Sequence, residues 1–484
     1  MALSDAERFP LLNEEGLKML DRLRGHPCAP RFNHPCGDML TQAGFEAVHT
    51  YETNLADAPR GWAEGSVPPW VSEFVEHCRR EVPFYRRHFA DSGTDFFRLP
   101  CCDRRDLKRK PEAFVTDGSR LDEMIVYWTT GTTGQALDIY SHPIISSMYL
   151  AALRHMLGQA GITLDGGAGR VSIANVSDQN TTFTYATIMT YLRQAGHVKV
   201  NLNTGDWNRQ EDRAAFLDDC DPEIYTGDPI AFAALARLPL RTRPKALVSS
   251  AMTLLPAWKN ALEERFECPV LDVYSMNESR FIAVASADVK DASTVPVHEI
   301  VPHDVFVEII DAAGDPVPSG ARGEIAVTCG RNPYLPLIRY RTGDFASMRF
   351  SPVEAEGVAS ETVQSTGFKT VAVKTKVEIV GLEGRAATLF FATDGRVINS
   401  INVTHSLGNF AFAQFALRQT ADGSLSFKAR GGEYDAEAVR KAILDQFGTS
   451  QMLTIGDLTD AETTGGKIIS YECEISDRPF QLKL

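Results

Sequence analysis

A chain of 484 residues with 44% hydrophobic and 23% charged side chains has apolar material for more than one packed core and too little charge for a disordered polymer. Its net charge of -14 excludes a general nucleic-acid binder but not one local basic pocket, because net charge governs long-range attraction rather than a single site. The nine cysteines (Cys28, Cys36, Cys78, Cys101, Cys102, Cys220, Cys268, Cys329, Cys473) are odd in number and contain no C-x-x-C pair, which favours reduced thiols over a disulfide framework or a zinc ribbon. The first residues lack the basic and apolar regions of a signal peptide and no run has the length of a membrane span, so a cytoplasmic protein without a membrane partner is expected.

Residues 1–120 read as mostly helical, with Val71, Phe74, Val75, Cys78 and Val82 at helical spacing before Pro83 ends the run. They are assigned to scaffold and one wall of a site, with no chemistry of their own. Next comes Tyr127-Trp128-Thr129-Thr130-Gly131-Thr132-Thr133-Gly134-Gln135, in which glycines and threonines follow an apolar strand. Glycine lets backbone N–H groups approach an anion and threonine hydroxyls donate to phosphate oxygens, so the loop suits phosphate; an ordinary connecting turn is the competing reading.

Downstream the pattern alternates. Ile144 to Leu157 reads as helix, Arg170 to Val176 as strand, Thr187 to Ala195 as helix, His197 to Leu202 as strand, Glu211 to Asp219 as helix, Glu223 to Thr226 as strand, Ile230 to Leu238 as helix and Ala246 to Ser249 as strand. Such alternation predicts an α/β fold with parallel sheets, whose ligands sit at the carboxyl ends of strands. From Val305 the pattern changes: Val305 to Asp311, a turn through Gly314-Asp315-Pro316, and Gly323 to Thr328 read as antiparallel strands of a β-rich subdomain. Near the end, Phe412 to Gln419 and Ser424 to Ala429 flank a turn at Asp422-Gly423, and Val439, Ala442, Ile443 and Phe447 share one helical face.

Four further stretches carry polar residues that a buried strand or a plain turn does not need. Asp272-Val273-Tyr274-Ser275-Met276-Asn277-Glu278 ends an apolar strand with a carboxylate suited to a metal or to solvent. Leu337-Ile338-Arg339-Tyr340-Arg341-Thr342-Gly343-Asp344 places two arginines, a tyrosine and an aspartate around a glycine turn. There the aspartate suits ribose hydroxyls and the arginines suit phosphate, unless the run is a structural ion-pair knot. Gly384-Arg385 and Thr463-Thr464-Gly465-Gly466-Lys467 are the other two, each with a solvated-charge reading beside a functional one.

In this order the stretches resemble the adenylate-forming superfamily that contains the acyl-CoA ligases, in particular its phenylacetate-CoA ligase-like branch, over roughly residues 80 to 470. Within the branch, the long helical start and the loop lysine look similar to adenylating proteins of phenazine-antibiotic pathways. The resemblance implies a large N-terminal domain of parallel α/β sheets plus a β-rich subdomain, with a small mobile α+β C-terminal domain. Residues 1–120 are then the helical region of the large domain, 121–385 the adenylation core with its β-rich part from about 305, and 386–484 the lid.

The activity implied is ATP- and Mg2+-dependent conversion of a small, aromatic carboxylic acid to an acyl adenylate with release of pyrophosphate. Coenzyme A is the commonest acceptor in the branch; an amine, a carrier thiol or a reductase remains the alternative. By resemblance Thr129, Thr130, Gly131, Thr132, Thr133 and Gly134 embrace the β- and γ-phosphates, and Glu278 holds Mg2+. Ser250, Ala251 and Tyr274 line the adenine pocket, Asp344 takes the ribose hydroxyls with Arg385 in support, and Lys467 sits between the carboxylate and the α-phosphate. Phe183 and Tyr185 offer flat surface to an aromatic acid and Asp178 a polar contact, against readings of core aromatics and a helix cap. Two departures stand out: Gln135 where the family has lysine or arginine, and Ala387 where it has a charged hinge residue. Gln135 motivates a rival reading as a nucleotide-binding homologue without catalysis, which Glu278, Asp344 and Lys467 together oppose. A P-loop kinase fails because the loop lacks the G-K-[ST] ending.

Overall fold

The computed structural model describes residues 3–59, 61–128, 137–285, 295–301, 303–352, 375–384, 388–463 and 468–475. Its helical start follows from local chemistry. In the helix Pro69–Glu81 a proline at the first position supplies the fixed φ that a helix entry uses, and Val71, Val75 and Cys78 fall on one buried face. Pro83 then opens a second short helix, Pro83–His88, instead of extending the first.

Strands β1 (Ile125–Trp128) and β2 (Asp138–Ser141) pair antiparallel, with Trp128 opposite Asp138. The Thr/Gly-rich stretch, whose residues 129–136 lie outside the described residues, therefore joins two strands rather than a strand and a helix. The helix Ile144–Gln159 follows, and its apolar face lies in the core.

One 12-stranded sheet organises the rest. Its strands in chain order are β3 (Val171–Ser177), β4 (Tyr185–Met189), β5 (Ala195–Asn201), β6 (Ile224–Gly227), β7 (Ala246–Ser250), β8 (Val270–Met276), β9 (Arg280–Ala285), β10 (Val297–Ile300), β11 (Val305–Ile310), β12 (Arg322–Cys329), β13 (Leu337–Pro352) and β14 (Thr375–Glu383). Across the sheet the order is β11-β12-β13-β14-β10-β9-β8-β7-β6-β3-β5-β4. Neighbours from β5 through β3, β6 and β7 to β8 run parallel, as the alternating pattern predicts. The antiparallel strands after Val305 do not form a sheet of their own; β14, β10 and β9 carry the hydrogen bonding without a break into the parallel strands.

The expected helix from Thr187 to Ala195 is a further correction. Tyr185–Met189 is the edge strand β4, antiparallel to β5, and a short 3-10 turn over Thr190–Leu192 leads into it through Arg193 and Gln194 at positive φ. Thr187 and Ile188 are β-branched and sit well on a half-buried sheet, so tertiary pairing overrides a short apolar run that fits either period.

Toward the C-terminus, β15 (Leu389–Phe391) pairs with β16 (Val397–Asn399), and a 4-stranded sheet contains β17 (Gln414–Gln419), β18 (Leu425–Arg430), β19 (Leu453–Asp457) and β20 (Tyr471–Cys473). The expected hairpin is present, with Gln414 opposite Arg430. Val439, Ile443 and Phe447 of the helix Ala436–Phe447 are buried in the same hydrophobic cluster as Phe232 and Trp258, so this part packs onto the large sheet's helices. The fit there is tight: a Cβ on Gly432, which has φ +90, would lie 1.9 Å from the Ala411 carbonyl oxygen and 3.1 Å from the Trp258 ring. No helix among the described residues is long and apolar enough to cross a membrane.

The sequence run Leu337 to Asp344 resolves into two roles. Arg339, 1% exposed, is the knot: its guanidinium donates to both Glu308 oxygens at 3.2 and 3.0 Å and to the carbonyls of Phe97, Leu99 and Gly314 at 2.9, 2.5 and 2.7 Å. Arg341, part-buried, donates from Nε and Nη2 to the single Glu324 oxygen Oε2 at 2.8 and 2.5 Å. Burial pushes the Glu308 carboxyl up to about 6, and Arg339 opposes that shift. Removing one partner of such a pair leaves a buried charge uncompensated, so Arg339→Met is expected to cost about 3–5 kcal/mol in urea unfolding. The double variant Arg339→Met/Glu308→Leu is expected to recover part of that loss.

Candidate active site

The carboxyl ends of β7 and β8 and the middle of β13 converge on one place. Ser250 closes β7 opposite Val273 on β8, and the next residue, Ala251, turns the chain with φ +70. Tyr274, one residue along β8, donates its hydroxyl to Asp344 Oδ2 at 2.7 Å. Burial, with the Asp344 carboxylate beside it, pushes that hydroxyl well above its usual range and keeps it a donor. Asp344 is fixed from its own strand too, because its N–H donates to Thr342 Oγ1 at 3.0 Å across Gly343, whose φ of +80 is the left-handed turn that glycine permits. The structure thus brings together Tyr274 and Asp344, which are 70 residues apart in sequence.

Glu278 lies in the turn between β8 and β9 and is 8% exposed. Its Oε1 takes Arg104 Nη1 at 3.2 Å and the Tyr340 hydroxyl at 3.4 Å. Tyr340 is the tyrosine of the Leu337–Asp344 run, whereas Arg104 is a neighbour that sequence reasoning did not single out. Arg104 comes from the region assigned to scaffold alone, where Asp103 and Asp106 form a capping box that starts the helix Arg104–Arg109. That box, readable as D-x-x-D, was the available signal, since it sets Arg104 at a helix start. The Cys102 carbonyl accepts from Arg341 N–H at 2.8 Å and pins this segment to β13. Arg280, two residues past Glu278, lies over the Tyr127 ring with its guanidinium carbon 4.8 Å from the centroid, and also hydrogen-bonds the Tyr127 hydroxyl. The strand that enters the Thr/Gly-rich stretch is thereby held beside Glu278.

Thr129, Thr130, Gly131, Thr132, Thr133, Gly134, Gln135, Arg385, Ala387 and Lys467 lie outside the described residues. Some of their flanks are informative. A Cβ on Gly384, the residue before Arg385, would be 3.4 Å from Asp344 Oδ1, so the chain leaves β14 against the aspartate. Before Lys467, the Glu462 carboxylate accepts from Lys428 Nζ at 2.6 Å and from Thr459 N–H at 3.1 Å, which hold it down to about 2.

The expected acid-binding residues differ in exposure. Tyr185 points into the protein from β4, whereas Phe183 is 45% exposed with its ring 4.9 Å from that of His34. No helix follows Asp178, which rules out the capping reading; burial raises its carboxyl, and Asp460 and Arg430 of the C-terminal part lie near it. Beside Tyr185, the His197 ring is 5.6 Å away and burial presses its imidazole down to about 4. The unfolded chain then takes up a proton more readily than the folded one, so stability full above about pH 6.5 is lost as pH falls toward 4. At pH 5 the loss should be roughly 2 kcal/mol at most, given partial exposure. Comparing urea midpoints at pH 7 and pH 5 checks this: His197→Gln should shrink the difference seen in the parent chain.

Among known proteins, no family model matches the chain. Phenylacetate-coenzyme A ligases are similar to it: 22% identity over 295 residues for that of Pseudomonas putida and 24% over 293 for that of Aromatoleum evansii. The ligase of Escherichia coli strain K12 is 23% identical over 297 residues. Each match covers 57% of this chain and 64% of the ligase, so the chain spans less than two thirds of the length of these relatives. Among solved structures, 2-hydroxyisobutyryl-CoA ligase in the postadenylation state with 2-HIB-AMP matches with a TM-score of 0.58 at 15% identity, covering 85% of this chain and 94% of that one. The same ligase with R3-HIB-AMP gives 0.56 at 15%, with the same coverage. The mixed α/β fold is therefore the one seen in 2-hydroxyisobutyryl-CoA ligase.

Proposed function

We propose that this chain, a relative of the phenylacetate-coenzyme A ligases, uses ATP to convert a small aromatic carboxylic acid into an acyl adenylate and then transfers the acyl group to coenzyme A. The observation that carries the reading is the Tyr274–Asp344 hydrogen bond next to Glu278, at the carboxyl ends of parallel strands, where open α/β sheets bind ligands.

In the first half-reaction a carboxylate oxygen of the acid forms a bond to the α-phosphorus of ATP, and the bond from that phosphorus to the bridging oxygen breaks to release pyrophosphate. Asp344, oriented by Tyr274 and Thr342, accepts from the two ribose hydroxyls, and Ser250 and Ala251 border the adenine. Thr129 to Gly134 offer backbone N–H groups and hydroxyls to the β- and γ-phosphates, and Arg385 supports Asp344. Lys467, carried by a lid of residues 386–484, places its ammonium between the acid and the α-phosphate. A fixed cation in a site closed to water stabilises charge that develops in an in-line displacement. Glu278 fits Mg2+: one buried carboxylate at a strand end suits an ion that keeps several waters and completes its shell with phosphates. The ion's charge, when bound, would neutralise those phosphates. Arg104 holds Glu278 in place.

Lys467→Ala should lower pyrophosphate release by about 10²- to 10³-fold. An unchanged rate removes Lys467 from the mechanism. Asp344→Asn exchanges a charge-assisted hydrogen bond for a neutral one, worth roughly 1.5–3 kcal/mol, and should raise the KM for ATP by about ten-fold or more while kcat moves less. Turnover settles the acceptor: sustained pyrophosphate release across aromatic acids only when coenzyme A is present supports transfer to that thiol. One stoichiometric burst indifferent to coenzyme A points to an amine, a carrier thiol or a reductase, the reading that Ala387 favours.

A further inference from the structure

Strand register gathers a polar group around Tyr185. Tyr185 is opposite Lys199, Thr187 is opposite His197, and Lys199 lies beside Asn175 on β3. Side chains alternate along a strand, so these residues share one face of the sheet. The segment before Leu40 covers it: the His34 ring is 6.5 Å from that of Tyr185, and Cys36 is bonded to Thr187. On the other side Tyr149 stacks on Phe281 with centroids 4.0 Å apart, and both Tyr149 and Arg280 act electrostatically on Tyr185. Arg280 continues to Tyr127 at 4.8 Å, so the group is linked to the surroundings of Glu278.

This face is not sealed core: Cys36, Tyr149, Tyr185, His197 and Lys199 each keep partial solvent access. Lys199 has no ion pair or hydrogen bond among the described residues, and the Cys36 thiol is the one group that favours its charge. A lysine so deep is rarely left without an anion.

We infer that Lys199 is a specificity-determining residue of the acyl crevice, and that the activated acid is aromatic and carries an acidic hydrogen-bond acceptor, a second carboxylate or an acidic phenol, at the end remote from the reacting carboxylate. The inference rests on the adenylation reading for the reacting end. Tyr149 and Tyr185, both partly exposed, supply flat faces for the ring, and Lys199 supplies the counter-charge. An acid with an ammonium at the same end is rejected by like charge, which is how a site excludes an isostere.

Calorimetric titration of the full chain with terephthalate, 4-hydroxybenzoate, benzoate and 4-(aminomethyl)benzoate, without ATP or coenzyme A, tests this. Terephthalate or 4-hydroxybenzoate is expected to bind at least about ten-fold tighter than benzoate, and 4-(aminomethyl)benzoate weakest. Lys199→Met should bring the acceptor-bearing acids to within about two-fold of benzoate without changing benzoate itself, and Lys199→Arg should keep the preference. The Tm of Lys199→Met should be no lower than that of the parent, since it removes a desolvated cation; a structural lysine would lower it. Preference surviving in Lys199→Met, tightest binding by benzoate or the ammonium acid, or no binding by either acceptor-bearing acid overturns the inference. Since binding is read without nucleotide, failure of pyrophosphate release would count against the adenylation reading and leave this result standing.

Discussion

The buried Arg339–Glu308 pair fixes the frame on which the candidate site is built. Its guanidinium ties β13 to β11, to the turn at Gly314 and to the segment at Phe97–Leu99, so three distant parts of the chain share one set of hydrogen bonds. A charge at that depth has value only while every partner is in place. The residues that follow on β13, Tyr340 against Glu278 and Asp344 against Tyr274, inherit their positions from it. Arg339 itself has a φ of +47, so the strand bends where the guanidinium is anchored.

From that anchor the site is assembled by backbone geometry more than by loops. Parallel strands end at Ser250 and Met276, and the antiparallel strand β13 crosses beside them with a glycine turn at Gly343. Continuity of the sheet through β14, β10 and β9 makes the two halves one rigid support. A two-sheet arrangement would leave the Tyr274–Asp344 contact to inter-sheet packing; here both strands belong to one hydrogen-bonded sheet, which suits the ribose contact proposed for Asp344.

Much of this architecture was legible before the structure. The parallel strands, the Val305 hairpin and the C-terminal hairpin were readable because hydrophobic period and turn residues agreed. Thr187 to Ala195 was misread because a short apolar run satisfies either period and only pairing with β5 decides between them. At the site, Tyr274, Glu278 and Asp344 stood out as polar residues on apolar strands. Arg104 did not: the D-x-x-D box marks only a helix start, and its partner Glu278 is 174 residues away. Lys199 was equally silent, because alternation along β5 places it inward only once β4 and β3 are known to flank that strand.

The seat of the C-terminal part on the large sheet has a thermodynamic character of its own. Its ion pairs Arg418–Glu472, Lys428–Glu462 and Arg440–Glu437 are internal to it, whereas its contact with the rest is made by Phe412, Ala413 and Gly431–Gly432 against Ala233 and Trp258, with one backbone bond from Ala257 N–H to the Gly408 carbonyl. Attraction of that kind comes from water released by apolar surface and weakens on cooling, while added salt barely screens it. The seat of this part on the large sheet's helices is therefore expected to loosen more on cooling than on addition of salt.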